Sequence, residues 1–175
     1  MKLSRWSNRV RRPPLVNFMA ANPLYTNNMI DSCAFDPKIE PEAFASREIL
    51  AIADAGTFQL IVAHSTQKEI EHPNTPAEVK ERATERIFSL PVGLTQGEQR
   101  LRADIHRMLT GNGKPENVRE DAEHVFEAQK YGGHFITTDR RILDRGVELD
   151  ALCGICVLRP SDFLAKVRAL LSDTR

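Results

Sequence analysis

Residues 120–143 read EDAEHVFEAQKYGGHFITTDRRIL, and this stretch predicts a helix, a buried strand and a second, shorter helix in direct succession. Residues 120–131 have the apolar spacing of an amphipathic helix, and residues 134–138 form a compact apolar run that Asp139 follows at once. The apolar positions of the helix begin at Ala122, Val125 and Phe126. A helix that feeds a short strand is typical of the crossover units of a parallel sheet.

The rest of the chain repeats this alternation. Short apolar runs predict three more strands, at residues 28–30, 57–63 and 155–158. Helical periodicity predicts further helices at residues 41–55, 66–72, 76–89, 96–109, 140–144 and 161–172. Strands that alternate with helices indicate the α/β class with a parallel sheet.

The length of 175 residues favours one folded domain. The distribution of charge indicates that a basic N-terminal arm precedes this domain. The first twelve residues carry five basic and no acidic side chains, which leaves a net charge of about −5 on the remainder because the formal net charge is zero. Residues 1–23 are therefore interpreted as the arm, a solvated tail or a nucleic-acid contact, with a mitochondrial presequence as a third reading. Residues 24–175 form the domain, and residues 76–110 within it predict an inserted helical hairpin.

Composition also indicates the compartment. The apolar runs fall far short of the roughly 18 residues of a membrane span, and the N-terminus has no apolar signal-peptide core. Three cysteines are an odd number in a chain of a size that folds without disulfides. We therefore expect a soluble, cytoplasmic protein with no membrane association.

Four acidic residues stand where a parallel sheet places functional groups. Asp31 and Asp139 directly follow strands, Glu69 lies in the first turns after another strand, and Asp121 opens the helix that feeds the strand before Asp139. Because ligands of open parallel sheets bind outside the carboxyl ends of the strands, we expect these four side chains to converge.

Each acid also has an ordinary structural reading. Asp139 suits a helix N-cap, Glu69 completes a capping box with Thr66, and Asp121 complements a helix dipole. Asp31 has no such local role unless Ser32 starts a turn. Two assignments stay open at this stage: Glu71 competes with Glu69 for the second acidic position, and His124, three residues after Asp121, is interpreted as a residue of the helix face.

Taken together, the segments resemble the PIN-domain nucleases in kind and order. The matching segments are MIDS at 29–32, STQKEI at 65–70, EDAEHVFEAQKYG at 120–132, HFITTDRRIL at 134–143 and ICVLRPSDFL at 155–164. The resemblance covers roughly residues 27–170. It implies a three-layer sandwich around a central parallel sheet of about four to five strands, in which the hairpin and the basic arm are additions.

The resemblance also implies the site residues. It assigns the catalytic acids to Asp31, Glu69, Asp121 and Asp139. Asp31, Asp121 and Asp139 are the expected metal ligands, and Glu69 is expected either to bind the metal or to orient a water molecule. Ser32 and Thr138 match the family's hydroxyl positions beside these acids, where they would contact the substrate. Arg140 and Arg141 follow Asp139 directly and are interpreted either as contacts with the substrate backbone or as solvated charges on a short helix.

Several carboxylates in one pocket repel one another unless cations neutralise them, and Mg²⁺ or Mn²⁺ supplies that charge. The resemblance implies metal-dependent hydrolysis of RNA phosphodiester bonds by an endoribonuclease, with products that carry 5′-phosphate and 3′-hydroxyl ends. RNA is the expected partner, and an antitoxin-like protein or a second copy of the chain are further candidates, since toxins of toxin-antitoxin pairs belong to this family. The hairpin and the arm weaken the toxin reading. The alternative function is a non-catalytic PIN-like module that binds RNA or a protein.

Overall fold

Four parallel strands form the centre of the computed structural model, which describes residues 22–87 and 93–173. The strands are β1 (Asn28–Ile30), β2 (Leu60–Val62), β3 (His134–Ile136) and β4 (Cys156–Leu158), in the spatial order β2-β1-β3-β4. In the register of the sheet, Met29 is level with Ile61 on one side and with Phe135 on the other. The predicted α/β class with a parallel sheet is confirmed.

Helices connect the strands and cover the sheet. They are α1 (Ser32–Phe35), α2 (Glu42–Asp54), α3 (Gln67–Ile70), α4 (Ala77–Thr84), α5 (Gln96–Thr110), α6 (Arg119–Tyr131), α7 (Arg140–Leu143), α8 (Gly146–Cys153) and α9 (Pro160–Asp173). Short 3₁₀ turns at His64–Thr66 and Pro115–Val118 precede α3 and α6. Within the described ranges, every helix lacks the combination of length and apolar character that crossing a membrane requires.

The two faces of the sheet carry separate apolar clusters, because successive strand side chains point to opposite sides. Ile30, Val62 and Ile136 pack against α2, α4 and α9 on one face. Met29, Ile61 and Phe135 pack against α5, α6 and α8 on the other. Full burial of an aliphatic or aromatic side chain is worth roughly 1.5–3 kcal/mol, so these two layers hold the sheet between them.

The packing of α4 and α5 corrects the prediction of an inserted helical hairpin at 76–110. Val79 and Ala83 of α4 belong to the cluster on the α2 and α9 side. Leu101 and Ile105 of α5 belong to the cluster on the α6 side. The two helices therefore lie on opposite faces of the sheet and do not pair, and α5 is part of the layer that contains α6.

The remaining differences from the sequence prediction are local. The strand predicted at 57–63 is shorter, and α1 and α8 were not predicted. A helix of one turn, such as α1, is too short to show a helical period in its apolar residues. Helix α8 begins with Gly146 and has one buried side chain, Leu149, so its amphipathic pattern is weak. The predicted basic arm at residues 1–23 lies outside the described residues except for its last two positions. Residues 88–92, which include the end of the helix predicted at 76–89, also lie outside them.

The strand order determines where a site forms. The connection from β1 through α2 to β2 runs over one face, whereas that from β3 through α8 to β4 runs over the other. The chain therefore changes face between the neighbouring strands β1 and β3. In open parallel sheets this reversal leaves a crevice at the carboxyl ends of the two strands, which is where ligands bind. Asp31 and Thr137 are the first residues beyond the ends of β1 and β3.

His134, at the start of β3, is a buried titratable group of the core. Its side chain is fully enclosed and contacts the Phe163 ring edge to face, with ring centroids 5.7 Å apart. Neither ring nitrogen has a hydrogen-bond partner in the described part of the chain. Burial, assisted by the charge of Lys166, lowers the pKa of His134 to about 4.

Stability should therefore fall on acidification through His134. Its pKa in the folded chain, about 4, lies below the ordinary value of 6.5, so the unfolded chain binds the proton first between these values. The stabilisation is present above pH 6.5 and is lost as the pH falls towards 4. Between pH 7 and pH 4.5 the wild type should lose about 2 kcal/mol more unfolding free energy than His134→Leu. Denaturant titration at both pH values measures this, and equal losses would contradict the assignment.

Candidate functional site

Asp31 is a nearly buried carboxylate at the end of β1. Its backbone N–H donates to the Ile136 carbonyl at 2.9 Å, which fixes it against the end of β3. Its Oδ1 accepts from the Ser32 backbone N–H at 2.8 Å, so Ser32 does start a turn and Asp31 is the N-cap of α1. Its Oδ2 accepts from Thr137 Oγ1 at 2.8 Å and from Cys33 Sγ at 3.1 Å.

His124 lies between the first two predicted acids. It is buried on α6, where its Nδ1 is 3.5 Å from Asp31 Oδ1 and its Nε2 is 4.0 Å from Glu69 Oε1. Nε2 is enclosed and has no hydrogen-bond partner among the described residues. The face of α6 that carries His124 is turned towards the end of β1, so this helix-face residue is part of the cluster, which the sequence did not indicate.

Glu69, rather than Glu71, faces this cluster. The Ser32 hydroxyl donates to Glu69 Oε2, and Thr75 Oγ1 donates to the Glu69 backbone carbonyl at 3.1 Å. Glu71 is exposed, where its Oε1 accepts from Gln67 Nε2 at 2.7 Å. The turn of α3 thus separates the two neighbouring glutamates.

Asp121 and Asp139 share a single guanidinium. Arg141 Nη2 lies 2.6 Å from Asp139 Oδ2 and 3.1 Å from Asp121 Oδ2. Asp139 is also the N-cap of α7, since its Oδ1 accepts from the Arg141 backbone N–H at 2.7 Å. The Asp139 backbone N–H donates to Thr137 Oγ1 at 3.1 Å, so the fully buried Thr137 hydroxyl links Asp139 to Asp31.

Electrostatics couples Asp31 to His124. Burial alone would raise the pKa of Asp31, but the hydrogen bond and charge of His124, with the hydrogen bonds from Cys33 and Thr137, lower it overall. Burial works against a charged His124, yet the hydrogen bond and charge of Asp31 and the charges of Glu69 and Glu127 raise its pKa. The pair therefore favours a carboxylate beside an imidazolium.

The pKa of Asp121 is shifted in the opposite direction from that of Asp31. Burial raises the pKa of Asp121, the Arg141 charge opposes this, and the charges of Asp139 and Asp31 raise it further. The two neighbouring charges also show that Asp121 is near enough to both acids to interact with them. Asp121 therefore takes up a proton at higher pH than Asp31.

The structure brings all four predicted acids to one edge of the sheet, as two neighbouring groups. Of the other predicted residues, Ser32 holds Glu69, Arg141 joins Asp121 to Asp139, and Arg140 is exposed at the start of α7. The Thr138 hydroxyl donates to the Cys33 carbonyl at 3.1 Å, whereas the hydroxyl that contacts Asp31 belongs to Thr137. Sequence reasoning missed the site roles of His124, Thr137 and Cys33. The spacing of three between Asp121 and His124 was the available signal for the histidine.

The donor atoms suit a divalent cation. Asp31, Glu69 and His124 each offer a ligand atom, and these atoms lie within 4.8 Å of one another. The partnerless Nε2 of His124 fits this reading, since a coordinated imidazole nitrogen needs no other partner. Four carboxylates face one imidazolium and one guanidinium, so the six side chains carry a formal net charge of −2. Carboxylates are ligands of Mg²⁺ and Mn²⁺, and imidazole adds a nitrogen ligand for first-row transition metals.

Comparisons of the chain with protein-family models, with curated proteins and with solved structures gave no match in any of the three cases. The fold and the site define the class: an α/β protein with a parallel sheet and an acidic cluster at the carboxyl ends of its strands.

The coupling between Asp31 and His124 is testable in the metal-free protein. We expect the pKa of His124 to lie above 6.5, because the charges around it outweigh burial. In Asp31→Asn the pKa of His124 should fall, since the largest favourable contribution is removed. NMR titration of the imidazole resonances measures both values, with Asp162→Asn as a control at an exposed acid of α9. An unchanged His124 titration in Asp31→Asn would contradict the coupling.

Proposed function

We propose that this protein is a divalent-metal-dependent endoribonuclease with a PIN-like fold, which hydrolyses RNA phosphodiester bonds at the cluster of Asp31, Glu69, Asp121 and Asp139. The observation that carries the proposal is the meeting of these four acids, distant in sequence, at the carboxyl ends of β1 and β3. Structural capping accounts for Asp31 and Asp139, which are helix N-caps, but not for Glu69, because Thr66 makes no side-chain cap hydrogen bond at the start of α3. Capping also gives no reason for four acids to meet beside a partnerless imidazole nitrogen.

The residues that would hold the cation are Asp31, Glu69 and His124, with Asp121 and Asp139 next to them. When bound there, a divalent cation lowers the pKa of its water and stabilises negative charge on phosphoryl oxygens. This differs in part from the ligand set Asp31, Asp121 and Asp139 that the resemblance implies. The difference arises because Arg141 already contacts both Asp121 and Asp139 and offsets one of their two charges, whereas Nε2 of His124 is left without a hydrogen-bond partner.

The chain's own residues fix the geometry of this site. Thr137, Cys33 and the Ser32 backbone hold the Asp31 carboxylate by three hydrogen bonds, and the Ser32 hydroxyl holds Glu69. Such fixed carboxylates need little rearrangement to receive a cation. His124 must release its proton before Nε2 can coordinate, so cation binding is expected to release protons and to strengthen with rising pH.

Arg141 is the residue that fits a phosphate contact. Its planar guanidinium presents several donors in a fork that matches phosphate oxygens, and more than half of its side-chain surface is exposed at 57%. To reach a phosphate it gives up at least one of its contacts with Asp121 and Asp139. A cation or a proton near those acids favours this exchange, because it replaces the lost positive charge.

The experiment is a cleavage assay on single-stranded and structured RNA with Mg²⁺ or Mn²⁺, with EDTA as a control. Asp31→Asn and Glu69→Gln should each lower the rate by about 100-fold or more, because each removes a charge that the cation requires. Glu71→Gln is the matched control: it makes the same change two residues away, at an exposed position, and should retain activity within about twofold. Equal activity of the wild type and both site variants, or cleavage that persists in EDTA, would contradict the proposal.

One observation favours the non-catalytic alternative, a PIN-like binding module. The guanidinium of Arg141 already lies between Asp121 and Asp139 and provides there the positive charge that a second cation would bring. A binding module of this kind would hold RNA with the same affinity in EDTA and in Mn²⁺, and would leave the RNA intact in both.

A further inference from the structure

A cavity of about 290 Å³ opens beside the acidic cluster. Its floor contains Ile30 and Val62, the last residues of β1 and β2, and Val79 of α4. Ser32 and Glu69 form the wall that the cavity shares with the candidate site. The cavity therefore lies at the same edge of the sheet as the four acids, on the β2 side of Asp31.

The cavity has apolar walls and a polar rim. Phe35 and Ile70 add to the apolar lining, while Lys38, Asn74 and Thr75 lie at the rim. The Thr75 hydroxyl donates to the Glu69 carbonyl. The Asn74 side-chain amide is exposed and has no hydrogen-bond partner within residues 22–87 and 93–173. The rim thus keeps one amide donor and one amide acceptor free for a ligand.

We propose that this cavity binds one unpaired base of a single-stranded nucleic acid, and that the neighbouring phosphate of that strand lies at the acidic cluster. The position of the phosphate rests on the proposed nuclease function. The binding of the base rests on the cavity itself.

Size and shape favour a single base. Small-molecule pockets usually measure about 300–1,000 Å³, so a cavity of about 290 Å³ is at the small end of this range and suits one ring system. A base in a duplex is stacked and paired and does not enter a pocket of this size, whereas an unpaired base exposes its faces and its edge. Apolar walls suit the faces of any base, and the Asn74 amide can bond to the edge of one.

The charges around the cavity indicate which part of the nucleic acid enters it. The wall contains the Glu69 carboxylate, and Lys38 at the rim is already paired with Asp36. A phosphate placed inside would meet these carboxylates, whereas a neutral base would not. The phosphate is therefore expected at the acidic cluster, where a divalent cation and Arg141 offset its charge, and the base in the cavity.

Binding tests the cavity separately from catalysis. The probe is a fluorescein-labelled single-stranded RNA oligonucleotide of mixed sequence, bound to the full chain with Ca²⁺ in place of Mn²⁺. Val79→Phe fills the cavity and should weaken the affinity by about tenfold or more, as expected for the loss of one bound base. Val147→Phe makes the same change on α8, at a side chain that is 84% exposed, and should leave the affinity within about twofold. Unchanged affinity in Val79→Phe, or no binding by the wild type, would overturn the inference.

A second variant keeps the binding test valid if Val79→Phe fails to fold. Asn74→Ala changes an exposed side chain and should weaken the affinity about 3- to 10-fold, the equivalent of one hydrogen bond. Circular dichroism confirms that each variant is folded. The duplex of the same sequence should show no sensitivity to Val79→Phe, and equal sensitivity of duplex and single strand would overturn the proposal of an unpaired base.

Cleavage of oligonucleotides with one abasic position then separates the two proposals. If both hold, an abasic position next to the cut slows the wild type by about tenfold, and Val79→Phe, which has no cavity left, shows no further loss. If the wild type cleaves at one rate wherever the abasic position lies, the cavity proposal fails and the nuclease proposal stands. If the wild type binds the strand through Val79 but never cleaves it, the nuclease proposal fails and the base pocket stands.

Discussion

The buried carboxylate of Asp31 is the constraint on which the rest of the site depends. Moving a charge out of water costs several kcal/mol, and a protein retains one only where hydrogen bonds and opposite charge repay that cost. Asp31 obtains them from four directions: the Ser32 backbone, the Cys33 thiol, the Thr137 hydroxyl and the His124 imidazole. These partners come from the ends of β1 and β3 and from α6, so compensating one charge fixes three parts of the chain against one another.

The two pairs of acids differ in the positively charged side chain that faces them. Asp121 and Asp139 have a guanidinium between them, which is exposed and free to exchange its partners. Asp31 and Glu69 have an imidazole, which is buried and gives up its positive charge by losing a proton. A divalent cation can replace the imidazolium charge without moving the chain, whereas an anionic ligand is needed to draw the guanidinium away. The six side chains therefore suit a cation and a phosphate together better than either alone.

Much of the fold and of the candidate site was predictable from the sequence, and the predictions that failed have physical causes. Alternating apolar segments predicted the parallel sheet, and acids at strand ends predicted which side chains converge, because both follow from local pattern and strand direction. The hairpin prediction failed because an apolar stripe on α4 or α5 does not say which face of the sheet it covers. The site role of His124 was missed because its surroundings depend on how α6 packs. Thr138 came from the family resemblance, whereas the hydroxyl that contacts Asp31 belongs to Thr137, because β3 ends at Ile136, two residues before its predicted end.

The most direct test of the central claim, that the acids beside Asp31 hold a divalent cation, is calorimetric titration of the metal-free protein with Mn²⁺ near pH 6 and near pH 8. We expect one cation bound through Asp31, tighter at the higher pH because His124 must first lose a proton, and weakened by about tenfold or more in Asp31→Asn but not in Asp162→Asn. No binding of Mn²⁺ by the wild type, or equal binding by Asp31→Asn, would contradict the claim.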